Sequence, residues 1–263
     1  ARMPCGRSAT TVSTADMSSS RGHRVELEPA YLLHQRDWRD SSRIIEFYAR
    51  DHGRIALFAK GVRRPGSGLG AVLRPFVPIL LTWQGSGDGG TLVAAEAPEV
   101  TSLVAPACLM SGFYLNELLL KLLGREDPHP DVFEFYGTSL RQLQSPADER
   151  RVLRIFEKRF LDALGFGIDY AHCLGTGDGV RAERYYLVDP QQGVVGETSS
   201  AHPAAVAGTD LLALAGDSLG SESQLVMARR LLGSTLEAVL DGRELHSRRV
   251  ARAVKSRPAK MEG

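Results

Sequence analysis

The chain has 263 residues, with 32 Lys and Arg against 31 Asp and Glu, and 43% of its residues are hydrophobic. This is ordinary globular composition, enough for one large domain or two smaller ones, and it excludes low-complexity and fibrous classes. No apolar run approaches the roughly 18 residues of a membrane span, and three distant cysteines (Cys5, Cys108, Cys173) argue against a disulfide framework and for a reducing compartment.

The net charge of +1 averages over uneven segments. Residues 24–74 carry ten basic side chains against six acidic, residues 75–150 four against ten, and residues 241–263 seven against three. A partner meets a patch rather than the mean. Arginine outnumbers lysine 27 to 5, which suits phosphate forks but equally reflects an arginine-biased coding composition.

Residues 1–23 are rich in Ser and Thr and lack an apolar centre. They read as a disordered tail, with a transit peptide as the alternative. From 24 to 103 the pattern is β. VELEPAYLLHQRDW, SSRIIEFYARD, GRIALFAKGV, PFVPILLTW and TLVAAEA are five apolar or alternating runs separated by DHG, RRPGSGLG and QGSGDGG. Five strands with such unequal loops suit a partly open OB barrel, and an SH3-like barrel has the same signature.

In GRIALFAK, alternation puts Ile55, Leu57 and Ala59 on one face and Arg54, Ala56, Phe58 and Lys60 on the other. If the first set is core, the second is a basic face with a ring in it. Arg63, Arg64 and Arg74 follow before the next acid, Asp88. Cations that track phosphates around a ring that stacks a base are what single-stranded nucleic acid binding needs, although a solvated basic face has the same composition. The glycines and Pro65 of GVRRPGSGLG are expected to keep the next loop mobile. Arg36, Trp38, Arg39 and Arg43 at the first turn extend the same candidate surface.

From 104 to 255 the period changes to that of helices. CLMSGFYLNELLLKLLG is apolar nearly all round and reads as a buried helix stopped by Gly124. DVFEFYGTSLRQLQ is a shorter one. SPADERRVLRIFEKRFLDALGFG places Ser145 as N-cap, Pro146 at the first helical position and Gly165 at the end, with Val152, Phe156, Phe160 and Leu164 on one face. A hairpin insertion is expected within about 170–208, around Pro190 to Gly193 of YYLVDPQQGVVGE. TDLLALAGD reads as a helix capped by Thr209. SESQLVMARRLLGSTLEAVLDG follows with Leu225, Leu232, Leu236 and Val239 inward and Gly242 as terminator. The basic stretch DGRELHSRRVARAVKSRPAK is either a second phosphate contact or a frayed end, and 256–263 is a tail.

An enzymatic alternative rests on GDSLG, which fits a nucleophile elbow at Ser218, with Asp241 and His246 in hydrolase order. The elbow needs a strand entering and a helix leaving, and no βαβ series surrounds it. His172 and Cys173 would need two further ligands to hold zinc, and only His202 is near in sequence, so a buried thiol is the expectation for Cys173. GSGDGG and GTGDG read as loop tips, since neither is followed by Lys-Ser/Thr.

The ordered set YLLHQRDWRDSSRIIEFYARDHGRIALFAKGVRR, LRPFVPILLTW, YLNELLLKLL, LRIFEKRFLDALGFG with HC after it, and DGRELHSRR resembles the bacterial RecO family of DNA repair proteins. It covers roughly residues 28–254. The resemblance implies an α+β protein, an N-terminal OB-fold barrel joined to a mostly helical C-terminal domain, without enzymatic activity or cofactor. It implies a recombination mediator that binds single- and double-stranded DNA and anneals complementary strands. Its implied partners are the acidic C-terminal tail of single-strand-binding protein, RecR and, indirectly, RecA. Lys60 and Arg63 match basic positions of the family's OB domain. Arg154, with Arg151 beside it, matches the helical-domain position that holds the partner tail. Some members carry four cysteines as a zinc site near 170–208, and only Cys173 stands there in this chain, so no metal is expected. The implied location is cytoplasmic, at the nucleoid.

Overall fold

The computed structural model describes residues 24–64, 66–85, 88–97, 101–247 and 249–250. The expectations for residues 1–23, Pro65 and 256–263, and for the last basic stretch apart from Arg243 and Arg249, lie outside the described residues.

The five alternating runs form β1 (Arg24–Trp38), β2 (Ser42–Ala49), β3 (Gly53–Ala59), β4 (Pro78–Gln84) and β5 (Asp88–Glu96). They close into a barrel in the order β1-β2-β3-β5-β4, with β1 pairing β4 and the parallel β3–β5 contact completing the ring. This is an OB-type barrel, fully closed rather than partly open. Ile45, Phe47, Ile55, Leu57, Leu81 and Trp83 fill its interior. Between β3 and β4 the glycine-rich segment departs from the expected mobile loop. Turn hydrogen bonds run from the Arg64 amide to Gly61 O and from the Ser67 amide to Arg64 O, and α1 (Gly68–Val72) follows. Leu69, Val72 and Leu73 pack into the barrel core, so burial of apolar side chains overrides the low helix propensity of glycine.

The helical region comprises α2 (Leu109–Leu122), α3 (Pro130–Gln142), α4 (Glu149–Ala163), α5 (Gly208–Ala215) and α6 (Glu222–Leu240). Two helix starts differ from the sequence reading. Ser145 precedes a 3-10 turn at Pro146–Asp148 without a side-chain cap, and α4 proper begins at Glu149. The cap of α5 is Ala207 rather than Thr209. Its first amides are satisfied instead by carbonyls of the preceding loop, Gly208 to Arg184 O at 2.7 Å and Thr209 to Ala182 O at 3.2 Å. α6 starts with a capping box between Ser221 and Gln224. The hairpin is β6 (Tyr185–Asp189) with β7 (Gly193–Thr198), and β8 (Val206–Ala207) pairs the other side of β6. Tyr186, Val194 and Val206 anchor this small sheet in the helical core.

The two regions share one core. Tyr31, Leu33, Tyr48 and Phe76 of the barrel belong to the apolar cluster of the helices. The register of β1 against β2 shifts by a bulge between Leu32 and His34 on this covered side. Asn116 of α2, buried, donates its amide to Leu33 O at 3.0 Å and Leu32 O at 3.4 Å, and accepts from the Tyr136 hydroxyl of α3. The Tyr48 hydroxyl reaches His129 O at 2.8 Å. Gly53 lies so close to the 124–127 turn that a Cβ there would run into the Asp127 backbone, and its φ of +66° is left-handed as well.

The chain beyond α6 is tied to α2. Arg243 donates to Lys121 O and Val239 O. The Glu117 carboxylate accepts from the His246 amide at 2.7 Å and the Ser247 amide at 2.8 Å. Burial alone would raise its pKa, but the Ser247 hydroxyl and amide, the His246 amide and Lys121 outweigh that and hold it below the usual 4.5.

Replacing Asn116 by Leu leaves at least two buried polar groups unsatisfied at about 1–3 kcal/mol each, so a loss of about 2–6 kcal/mol is expected by urea unfolding. Because the Glu117 pKa is lowered in the fold, its contribution is present above the unfolded value and fades as pH falls through the folded one. Glu117→Gln is therefore less stable at neutral pH, and the stability gap to wild type closes in acid below the ordinary value of 4.5. A gap independent of pH would show that the carboxylate charge is not what holds the 246–247 turn.

Candidate nucleic-acid interface

The strand register decides which side chains meet. β1 and β2 pair Arg36 with Ile44, Asp37 with Arg43 and Trp38 with Ser42. β2 and β3 pair Ile44 with Phe58 and Arg43 with Ala59, and Phe58 pairs on with Thr91 of β5. Arg36, Ile44, Phe58 and Thr91 thus form one row across the outside of the barrel. Trp38 closes on this row from the strand end, its ring 6.4 Å from that of Phe58 in an edge-on arrangement. Trp38 is 42% exposed and Phe58 is half-buried. An exposed indole with a half-buried phenyl ring against it, beside cations, is available to stack a base.

The cations gather at this same end. Arg36, Lys60, Arg63 and Arg64 are exposed, and the Arg63 amide is tied to Ser41 O at 3.1 Å, which fixes the 60–64 turn against the β1–β2 turn. Among the described residues no acid pairs with Arg36, Arg39, Lys60 or Arg64. The cluster is nevertheless not without acid, as the sequence interval 54–74 suggests. Asp37 reaches from β1 to Arg43 at 3.0 Å and to Arg63 at 3.3 Å, and Arg43 also donates to Gln35 at 3.1 Å. Asp37 is the functional residue that linear reading missed. Its signal was the hairpin itself, in which positions 37 and 43 are opposite partners around the 39–41 turn.

Two candidate cations lie elsewhere. Arg54 shares the face of Phe58 but sits four residues away, about 13 Å along the strand. Its guanidinium is half-buried and donates to Leu120 O at the end of α2. It serves the junction of the two regions, because the α2–α3 turn covers that end of β3. Arg74 is exposed beyond α1, where its Nε donates to Ala71 O at 2.8 Å.

Arg154 is not an open contact either. It is 8% exposed and donates to the fully buried Glu157 at 2.7 Å, and the Tyr114 hydroxyl donates to the same carboxylate oxygen at 2.6 Å. An arginine placed on the inner side of α4 is held there by its acid three residues on. Arg151 is exposed and paired with Asp148, and Arg150 with Glu222.

The remaining motifs resolve differently. GDSLG is the C-terminus of α5: Gly216 is its cap, and the Ser218 amide and hydroxyl both turn back to Ala213 O. A helix enters where a nucleophile elbow needs a strand, the His246 ring meets Arg249 at 3.2 Å and the Ser218 hydroxyl turns to Ala213 O, so among the described residues no hydrogen bond joins Ser218, Asp241 and His246. Cys173 is half-buried rather than buried and bridges Val194 through its backbone. Among the described residues, no group of three His, Cys, Asp or Glu side chains is placed to hold a metal, and no helix is long and apolar enough to cross a membrane.

A closed OB-type barrel that shares its core with a helical region defines the class of protein. The family model described as Recombination protein O N terminal matches residues 25–100, and that described as Recombination protein O C terminal matches residues 106–249. Proteins named DNA repair protein RecO are similar over most of their length. The one from Alkalilimnicola ehrlichii is 42% identical over 242 residues, 90% of this chain and 95% of its own. That from Azoarcus sp. is 38% identical over 231 residues, 86% of this chain and 95% of its own, and that from Methylococcus capsulatus is 39% identical over 230 residues. The chain belongs to the recombination protein O family of DNA repair proteins.

Removing Arg154 alone leaves Glu157 buried and uncompensated. Arg154→Ala is expected to cost about 3–5 kcal/mol in chemical denaturation, and the double variant Arg154→Met/Glu157→Gln, which keeps an acceptor for Tyr114, recovers most of it.

Proposed function

We propose that the end of the barrel formed by the β1–β2 turn and the 60–64 turn binds DNA, single strands foremost, through phosphate contacts and base stacking. The observation that carries this reading is the Trp38–Phe58 ring pair, Trp38 exposed and Phe58 half-buried, at the same end of the barrel as Arg36, Lys60, Arg63 and Arg64. Arg43 supports the site through Asp37, and Arg74 extends it on the far side of α1. Such a surface reads no sequence, because every base has a face to stack and every nucleotide a phosphate.

Annealing follows from the same physics. Two strands repel as polyanions, and a protein that neutralises phosphates while leaving base edges free lowers the barrier to their pairing without a covalent step. Family membership supports the remainder of the proposal. The protein acts as a recombination mediator at the nucleoid, engages the acidic tail of single-strand-binding protein, and works with RecR to load RecA. On α4, Arg151 is a cation that such a tail can reach, since it stands in solvent, as do Arg150 and Arg159.

Anisotropy of labelled single-stranded DNA over a range of salt tests the DNA reading, with annealing of complementary strands followed in the same samples. Replacing Lys60, Arg63 and Arg64 by Ala is expected to weaken binding and to lower the salt slope by up to roughly 2, at about 0.7 per phosphate contact, with the unfolding transition unchanged. Unchanged affinity at low salt would return this end of the barrel to an ordinary solvated surface.

A further inference from the structure

Asp37 holds two arginines in the way a phosphate would. Its Oδ1 accepts from Arg43 Nε at 3.0 Å and its Oδ2 lies 3.3 Å from Arg63 Nη1. One oxygen for each guanidinium, on a common central atom, is also the arrangement offered by the two non-bridging oxygens of a phosphodiester. The two arginines come from different strands, β2 and the turn after β3, so the carboxylate is what joins them.

The contact is built to be broken. The Asp37 side chain is 57% exposed, those of Arg43 and Arg63 29% and 38%. Ion pairs at such exposure are individually weak and yield to salt or to a competing anion. By contrast Arg36, Lys60 and Arg64, at the same end of the barrel, have no acid among the described residues. Part of this basic surface is therefore open, and two of its arginines are occupied by an anion of the protein itself.

We propose that Asp37 is an internal competitor for the DNA backbone, a specificity-determining residue that holds Arg43 and Arg63 in reserve until a phosphate displaces it. The proposal rests on the reading of this barrel end as a DNA surface. A strand first meets the open cations and the rings. It gains the two reserved arginines only by displacing the carboxylate, which stays nearby and re-forms its pairs when the strand leaves. The consequence is a bound strand that is held loosely enough to be released once it has paired with its complement.

The test compares wild type with Asp37→Asn, Asp40→Asn and Arg36→Ala/Lys60→Ala/Arg64→Ala, using a labelled single-stranded oligonucleotide titrated at several salt concentrations. Asp40 is exposed in the adjacent turn and contacts neither arginine, so its variant carries the same change in net charge without the release. Asp37→Asn is expected to bind about 3- to 10-fold tighter, from two weak surface pairs released together. Its salt slope steepens by up to about 1.4 as two further phosphate contacts form, and strand dissociation slows. Asp40→Asn shows less than half of that gain. Equal gains from the two substitutions would reduce Asp37 to a general charge effect and overturn the proposal. Weaker binding by Asp37→Asn would overturn it too, making the carboxylate a support for the arginines instead of a rival for them. If the triple variant binds as wild type does, the DNA reading of the barrel end fails. If the triple variant loses affinity and Asp37→Asn is unchanged, only the competitor role falls.

Discussion

The architecture turns on one buried amide. The register of β1 against β2 shifts between Leu32 and His34 and leaves Leu33 outside the pairing, on a side of the barrel that faces protein instead of water. Backbone acceptors cannot be buried bare without a cost comparable to a lost hydrogen bond. Asn116 answers the carbonyls of Leu32 and Leu33, and its own carbonyl takes the Tyr136 hydroxyl, so the bulge, α2 and α3 are positioned by a single side chain. The alternation of β1 points Tyr31 and Leu33 outward into the helical core, where Tyr31 meets the rings of Phe133 and Tyr136 at 5.1 Å. From there α2 fixes the later chain through Glu117 and the carbonyl of Lys121.

Strand β3 divides its outer face between two tasks. At its start Gly53 and Arg54 are pressed against the α2–α3 turn, and at its end Phe58 and Lys60 stand at the open end of the barrel. The acid-rich interval 75–150 is drawn into the structure in part. Glu117 receives the 246–247 turn, Glu149 accepts from Ser111, Glu134 pairs with Arg50, and Asp148 pairs with Arg151. Its excess of negative charge is thus spread among local partners rather than gathered on one face.

Much of this was legible in the chain itself. Period-two alternation located all five barrel strands and assigned Ile55, Leu57 and Ala59 to the interior, because a half-buried strand leaves that mark. The long helices were legible for the same reason, as were the terminator glycines. What escaped were effects that require two distant segments to meet. Arg54 and Phe58 have the same strand parity, and nothing local says that one end of β3 is covered by residue 127. Arg154 looks like an exposed cation until Glu157 and Tyr114 are seen around it. Ser145 and Thr209 are sound capping residues by type, yet the chain satisfied those amides from a tight turn and from neighbouring carbonyls. Asp37 appeared only as one charge in a count, since its meaning depends on the hairpin that sets it opposite Arg43.

The shared core also bears on how the molecule comes apart. The matches to the two family models leave a gap between residues 100 and 106, where a cut by sequence would fall. Physically there is no seam at that point. Tyr31, Leu33, Tyr48 and Phe76 lie on the N-terminal side of the gap and are buried by residues on its C-terminal side. An isolated barrel would set those rings in water together with the Leu32 and Leu33 carbonyls that Asn116 meets, and isolated helices would lose the wall against which α2 lies. Barrel and helices are therefore matched as two segments of sequence but joined by one apolar core in the structure.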